Sequence, residues 1–185
     1  MNEWIQTANY LPAASYITFH SNICFPAGTP IRCDQGYIEI EMNDPEIHTI
    51  CNKKIIGITK SIHCHDKYLV CLEKDSLGKN IPSQKTIMSK TYKLFYKGKM
   101  VMAYDLLGIV ENVYKVKYTG EILYNVIMEQ HDKMLVNNMI CETLDPEHDI
   151  AKLYKICLTL SEDEQKRLSE WYNNQYKIRN NHKIK

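Results

Sequence analysis

A cysteine just ahead of a sharply shaped turn is the first arrangement in this chain that could do chemistry. The run Cys24-Phe25-Pro26-Ala27-Gly28-Thr29-Pro30-Ile31 places a thiol before two prolines, which fix φ, and a glycine, which frees it. A thiol held on such a turn can attack a neighbouring carbonyl, so that one difficult amide cleavage becomes two easier steps through a thioester. The same residues also suit a structural cysteine packed beside a loop, because free cysteine is among the most buried residue types. A second cluster, His63-Cys64-His65 with Cys51 and Cys71, holds the side-chain types that bind zinc. Its spacing argues against a metal: on a strand His63 and His65 share one face while Cys64 points to the other. No Cys-x-x-Cys or His-x₃-His pair accompanies them, so neither a metal nor a cofactor is expected.

Composition limits what such a site could act on. The 185 residues carry 23 basic and 22 acidic side chains, a net charge of +1. That balance excludes a strong global pull toward nucleic acid or an anionic membrane, and neither is expected as a partner. The longest apolar runs span a few residues, against the roughly 20 that a spanning helix requires. Met1 to Asn9 carries Glu3 and no basic residue, so the start lacks the charged segment of a secretory signal. Seven cysteines are an odd number, and at least one thiol must be free or paired outside the chain. An intracellular, reducing, cytoplasmic setting is the expectation.

The elements that must position Cys24 read as β structure over 24–145, with a helical extension over 146–185 and a mixed upstream flank over 1–23. Thirteen tyrosines with many Ile and Val favour strands. Tyr37 to Met42 alternates as one strand. Lys54 to Cys64 and Lys67 to Glu73 read as strands separated by His65-Asp66, as in a hairpin. Tyr92–Tyr96 and Met100–Ala103 flank Lys97-Gly98. Val113–Tyr118 and Glu121–Met128 flank Thr119-Gly120, the strongest hairpin signal in the chain. Met134–Val136 and Met139–Cys141 flank Asn137-Asn138, where asparagine tolerates positive φ. Many short strands joined by tight turns predict a compact all-β fold. Ser161-Glu162-Asp163-Glu164 matches a capping box that opens a helix running to about Ile178. The tail Lys177 to Lys185, basic and without an acid, reads as a solvated terminus.

The Cys24 segment resembles the opening block of the Hint (hedgehog/intein) superfamily, where a cysteine begins the domain and a Gly–Thr pair follows shortly. Asp34-Gln35-Gly36 and the run Tyr37 to Met42 fit the continuation. Ser89 to Ala103 is similar to the middle block, Tyr124 to His131 to the late strand and its histidine, and Met134 to Cys141 to the closing strand pair. The resemblance covers residues 24–142, with its blocks in order, and in style is nearest to Hint-type domains in proteins of large DNA viruses. It implies a Hint-like horseshoe of short strands. It also implies autocatalytic processing, in which the Cys24 thiol attacks the carbonyl of Ile23 in an N–S acyl shift.

Under that resemblance the catalytic candidates are Cys24, His131, Tyr92 and Ser89, and the scissile bond is Ile23–Cys24. The substrate is the chain's own upstream segment in cis, released by water or by a small thiol or amine. Two departures bear on the outcome. Ser89-Lys90-Thr91-Tyr92 stands where active members carry Thr-x-x-His, and a phenol of unperturbed pKa about 10 is poorly matched to proton transfer near neutrality. Cys141-Glu142 stands where inteins end in His–Asn, and Glu142 cannot cyclise efficiently. The expectation is therefore N-terminal cleavage without splicing. The alternative is a catalytically degenerate Hint-like domain kept as an interaction or structural module, with Trp171, Tyr172 and Tyr176 as docking surface.

Overall fold

A computed structural model describes residues 18–21, 23–62 and 67–181. The predicted His63-Cys64-His65 cluster, the His65-Asp66 turn and the end of the basic tail lie outside the described residues. In chain order the strands are β1 (Thr18–His20), β2 (Phe25–Pro26), β3 (Pro30–Cys33), β4 (Gly36–Glu39), β5 (Thr49–Ile50), β6 (Lys53–Ile62) and β7 (Tyr68–Leu72). They continue with β8 (Thr86–Met88), β9 (Lys93–Tyr96), β10 (Lys99–Met102), β11 (Val113–Lys117), β12 (Leu123–Met128), β13 (Lys133–Val136) and β14 (Met139–Glu142). Two α-helices, α1 (Asp149–Cys157) and α2 (Glu162–Asn181), follow. The fold is all-β with its α-helices at the C-terminal end.

The strands form three sheets. One has the order β1-β6-β12-β2, with β5 also on β6; a six-stranded sheet runs β10-β9-β14-β13-β3-β4; the third is β11-β7-β8. Two predicted hairpins form where local turn chemistry demands them. Lys97-Gly98 (φ 48° and 86°) joins β9 to β10, and Asn137-Asn138 (φ 48° and 66°) joins β13 to β14. Positive φ at both central residues matches the right-handed twist of the flanking strands. The other two hairpins do not form. β6 pairs with β12, β1 and β5, whereas β7 pairs with β8 and β11, so the strands around His65-Asp66 part into different sheets. Likewise β11 leaves Thr119-Gly120 for β7, and β12 runs back along β6. The predicted strand Tyr37 to Met42 is also shorter than its alternation suggests. It becomes a 3₁₀ turn at Ile40–Met42, where the Asn43 amide donates to the carbonyl of Glu39 at 3.0 Å.

Strand β12 is the organising element. Five of its six residues, Leu123 and Asn125 to Met128, are buried, because core covers both of its faces. One core holds Phe25, Ile31, Val70, Met88, Tyr92 and Leu94, and a smaller one joins Phe19 and Ile127 to α1 through Ile150, Tyr154 and Cys157. Helix α2 begins as its sequence predicts: the Ser161 backbone N–H and hydroxyl both donate to the Glu164 carboxylate, at 2.9 and 2.7 Å. The helical extension expected over 146–185 is divided into two helices, α1 and α2. The α1 apolar residues Ile150, Ala151, Tyr154 and Cys157 form the stripe that meets β6.

The β6–α1 contact is close enough to test. A Cβ on Gly57 would sit 2.2 Å from the buried Tyr154 ring. Gly57→Ala must push that ring aside and is expected to cost about 2 kcal/mol. Thermal denaturation should show Tm lowered by about 5 °C; an unchanged Tm would mean that α1 does not press on β6 there.

Candidate functional site

Both polar ends of the Ile23–Cys24 peptide are held by buried side chains. The Cys24 N–H donates to Ser89 Oγ at 2.8 Å, and the Ser89 N–H donates back to the Cys24 carbonyl at 3.0 Å. Ser89 follows directly on β8, so this reciprocal pair ties residue 24 to that strand end. On the other side, Asn125 Nδ2 donates to the Ile23 carbonyl at 2.7 Å.

Asn125 was not among the sequence-predicted residues, yet it is the best placed of the groups around the bond. It lies in the middle of β12 opposite Thr59 and is fully buried. Its orientation is fixed chemically. The Val126 N–H donates to Asn125 Oδ1 at 2.8 Å, which leaves the amide nitrogen facing Ile23. The Tyr92 hydroxyl also reaches Oδ1, at 3.0 Å, and the Glu142 carbonyl at 2.6 Å. A phenol has one proton, which these two acceptors share in a forked bond, the shorter arm going to Glu142. A buried asparagine in an otherwise apolar strand, Leu123-Tyr124-Asn125-Val126-Ile127-Met128, is the signal that points to it in the sequence, because such a group must find partners.

Cys24 itself is completely buried, packed with Leu69, Tyr118 and Leu123. Burial pushes its thiol up to about 11; the Ser61 and Ser21 hydroxyls, lying against it, lower it only in part. Ser61 Oγ and its neighbour on the strand, Thr59 Oγ1, are buried without a hydrogen bond of standard geometry. The surroundings of Cys24 are thus polar at several points, but they keep the thiol neutral.

Tyr92 is buried with its ring 4.3 Å from that of Phe25, the residue after Cys24. Burial, reinforced by the nearby Cys141, Glu142 and Cys24, raises its hydroxyl well above the ordinary tyrosine value. It is a weaker acid than a free phenol. Its hydrogen bonds make it the anchor that braces Asn125. The structure therefore brings Cys24, Ser89 and Tyr92 together and adds Asn125. His131 is placed differently. Its side chain is 45% exposed, in the loop between β12 and β13, with Nε2 3.3 Å from Glu142 Oε2. Glu142 links it to the buried cluster, because the Glu142 backbone carbonyl accepts the Tyr92 hydroxyl's hydrogen bond.

Among the described residues, no three His, Cys, Asp or Glu side chains are arranged to hold a metal ion. Cys51 is exposed at the β5–β6 turn, while Cys71 is buried on β7. Among the described residues, Cys24, Cys33, Cys51, Cys71, Cys141 and Cys157 are free thiols. No helix among the described residues is long and apolar enough to cross a membrane. No protein-family model matches the chain, and no curated protein matches it in sequence.

Tyr92→Phe tests the anchoring role. It removes one hydroxyl and leaves the buried Glu142 carbonyl short of a donor, a loss of about 1–3 kcal/mol. Denaturant unfolding should show that loss. Wild-type stability would contradict the anchoring role.

Proposed function

We propose that this chain is a Hint-like self-processing domain that cuts itself once, between Ile23 and Cys24, without splicing. The observation that carries the proposal is the double grip on that single peptide: Asn125 on its carbonyl oxygen and Ser89 on its nitrogen. The all-β architecture, with many short strands, supports the fold class that the resemblance implies.

The chemistry follows from the grip. Cys24 Sγ, as thiolate, attacks the Ile23 carbonyl carbon through a five-membered ring, so the reactants are already joined. Charge developing on the carbonyl oxygen falls on Asn125 Nδ2, a donor fixed before the reaction. The C–N bond breaks, the S–C bond remains, and the Cys24 nitrogen takes up the proton that the thiol released. Ser89 Oγ holds that nitrogen and is the group beside it through which the proton can pass. Water or a small thiol or amine then attacks the thioester carbon. The acyl group passes to that nucleophile and Cys24 Sγ recovers its proton. A reducing intracellular setting keeps the thiol available.

The test uses the whole chain with a carrier protein fused ahead of residue 1 and incubated with a small thiol. Denaturing intact-mass measurement should show two chains that divide at Ile23–Cys24, and Cys24→Ala should give only the uncut mass. A second reading, a degenerate Hint-like domain serving as an interaction module, draws on the neutral, buried thiol and on tyrosine at the usual histidine position. An uncut wild type after prolonged incubation at alkaline pH would favour it and sink the processing reading.

A further inference from the structure

The chain on the upstream, acyl side of the proposed cut is built into the fold. β1 lies parallel to β6, with Thr18 opposite Lys60, Phe19 opposite Ser61 and His20 opposite Ile62. Phe19 is almost wholly buried in the small core that α1 shares with β12, among Ile127, Leu144, Ile150 and Tyr154. Helix α2 covers the strand from the other side. Ser169 Oγ and Asn173 Nδ2 both donate to the Thr18 carbonyl, at 3.1 and 2.8 Å, and the Tyr172 ring meets Phe19 edge-on at 5.7 Å and 84°. Of the aromatic residues in α2, Tyr172 thus faces inward, while Trp171 remains exposed.

We infer that scission at Ile23–Cys24 does not free the upstream segment: β1 stays docked between β6 and α2, and the product is a nicked, non-covalent complex held by the C-terminal helix. This rests on the proposed cleavage site. None of the contacts that hold β1 involves the bond that breaks. Strand pairing, the buried Phe19 and the two hydrogen bonds from α2 all lie three or more residues upstream of Cys24. A retained acyl group also stays beside the Cys24 amine, so the S–N return can re-form the peptide. Net cutting then requires an external nucleophile to take the acyl group, leaving the upstream segment as, for a thiol, that thiol's thioester.

The experiment uses the full chain with a carrier ahead of residue 1, cut in two ways. One sample is treated with a small thiol; another carries a site-specific protease sequence inserted after Ser21 and is nicked by that protease. Denaturing mass measurement reads scission, and native size-exclusion chromatography reads retention. Carrier and domain are expected to co-elute after either cut. In the Ser169→Ala/Asn173→Ala double variant, and separately in Phe19→Ala, the nicked carrier should dissociate at least about tenfold faster. Circular dichroism of the intact variants confirms their folding, and scission in the double variant should keep its wild-type rate. Prompt separation of the wild-type fragments after either cut would overturn the inference. Co-elution of the protease-nicked chain together with no thiol-dependent cut would instead overturn the cleavage reading and leave the docking of β1 standing.

Discussion

Asn125→Ala is expected to slow scission at Ile23–Cys24 by about 100–1,000-fold, the cost of losing one oxyanion donor from a fixed site. Three observations support so large an effect. The donor is already 2.7 Å from the carbonyl oxygen in the uncut chain. The side chain is fully buried, so water cannot readily replace it. Its other end is braced by the Val126 amide and the Tyr92 hydroxyl, so no reorganisation is needed as charge develops. The same bracing means that alanine leaves partners unsatisfied, and near-ultraviolet circular dichroism must show a folded variant before rates are compared. Asn125→Asp is the sharper companion: it keeps the shape, exchanges the donor for an acceptor, and should be at least as slow. Wild-type cutting in a folded Asn125→Ala would remove the oxyanion role.

Scission should accelerate about tenfold per pH unit between about pH 7 and about pH 9.5. The thiolate is the attacking species, and burial holds the Cys24 thiol up at about 11. Across that range the thiolate fraction stays small and grows with each unit of pH. The opposing trend is stability. A thiol whose folded value lies above its unfolded one contributes stability that is complete below about pH 9 and is lost as pH rises through about 11. Tyr92, raised for the same first cause, acts in the same direction at still higher pH. Rates are therefore compared only where circular dichroism remains native. A flat profile would mean that thiolate formation does not limit the reaction.

The parts of the fold that were legible in the sequence are those decided locally. Asn137-Asn138 and Lys97-Gly98 force their hairpins because both central residues accept positive φ, and Ser161 with Glu164 sets the start of α2. What was not legible is which distant strand each segment chooses. Thr119-Gly120 has strong turn chemistry, yet β11 and β12 pair with distant strands, β7 and β6. The site divides in the same way. Cys24, Ser89 and Tyr92 were found through their resemblance to ordered blocks, and they lie together. Asn125 was missed because its role depends on a contact across 102 positions of sequence, to Ile23. His131 matches the late histidine of the resemblance, but the β12–β13 loop carries it to an exposed place beside Glu142.

Hydroxylamine trapping tests the central claim most directly. An acyl thioester at Ile23 reacts with hydroxylamine to give a hydroxamate at that residue's carbonyl. Tandem mass spectrometry of the upstream product is expected to locate the hydroxamate on Ile23, with yield rising toward pH 9.5 and none from Cys24→Ala. An uncut wild type, or an adduct that persists when Cys24 is replaced, would contradict the account.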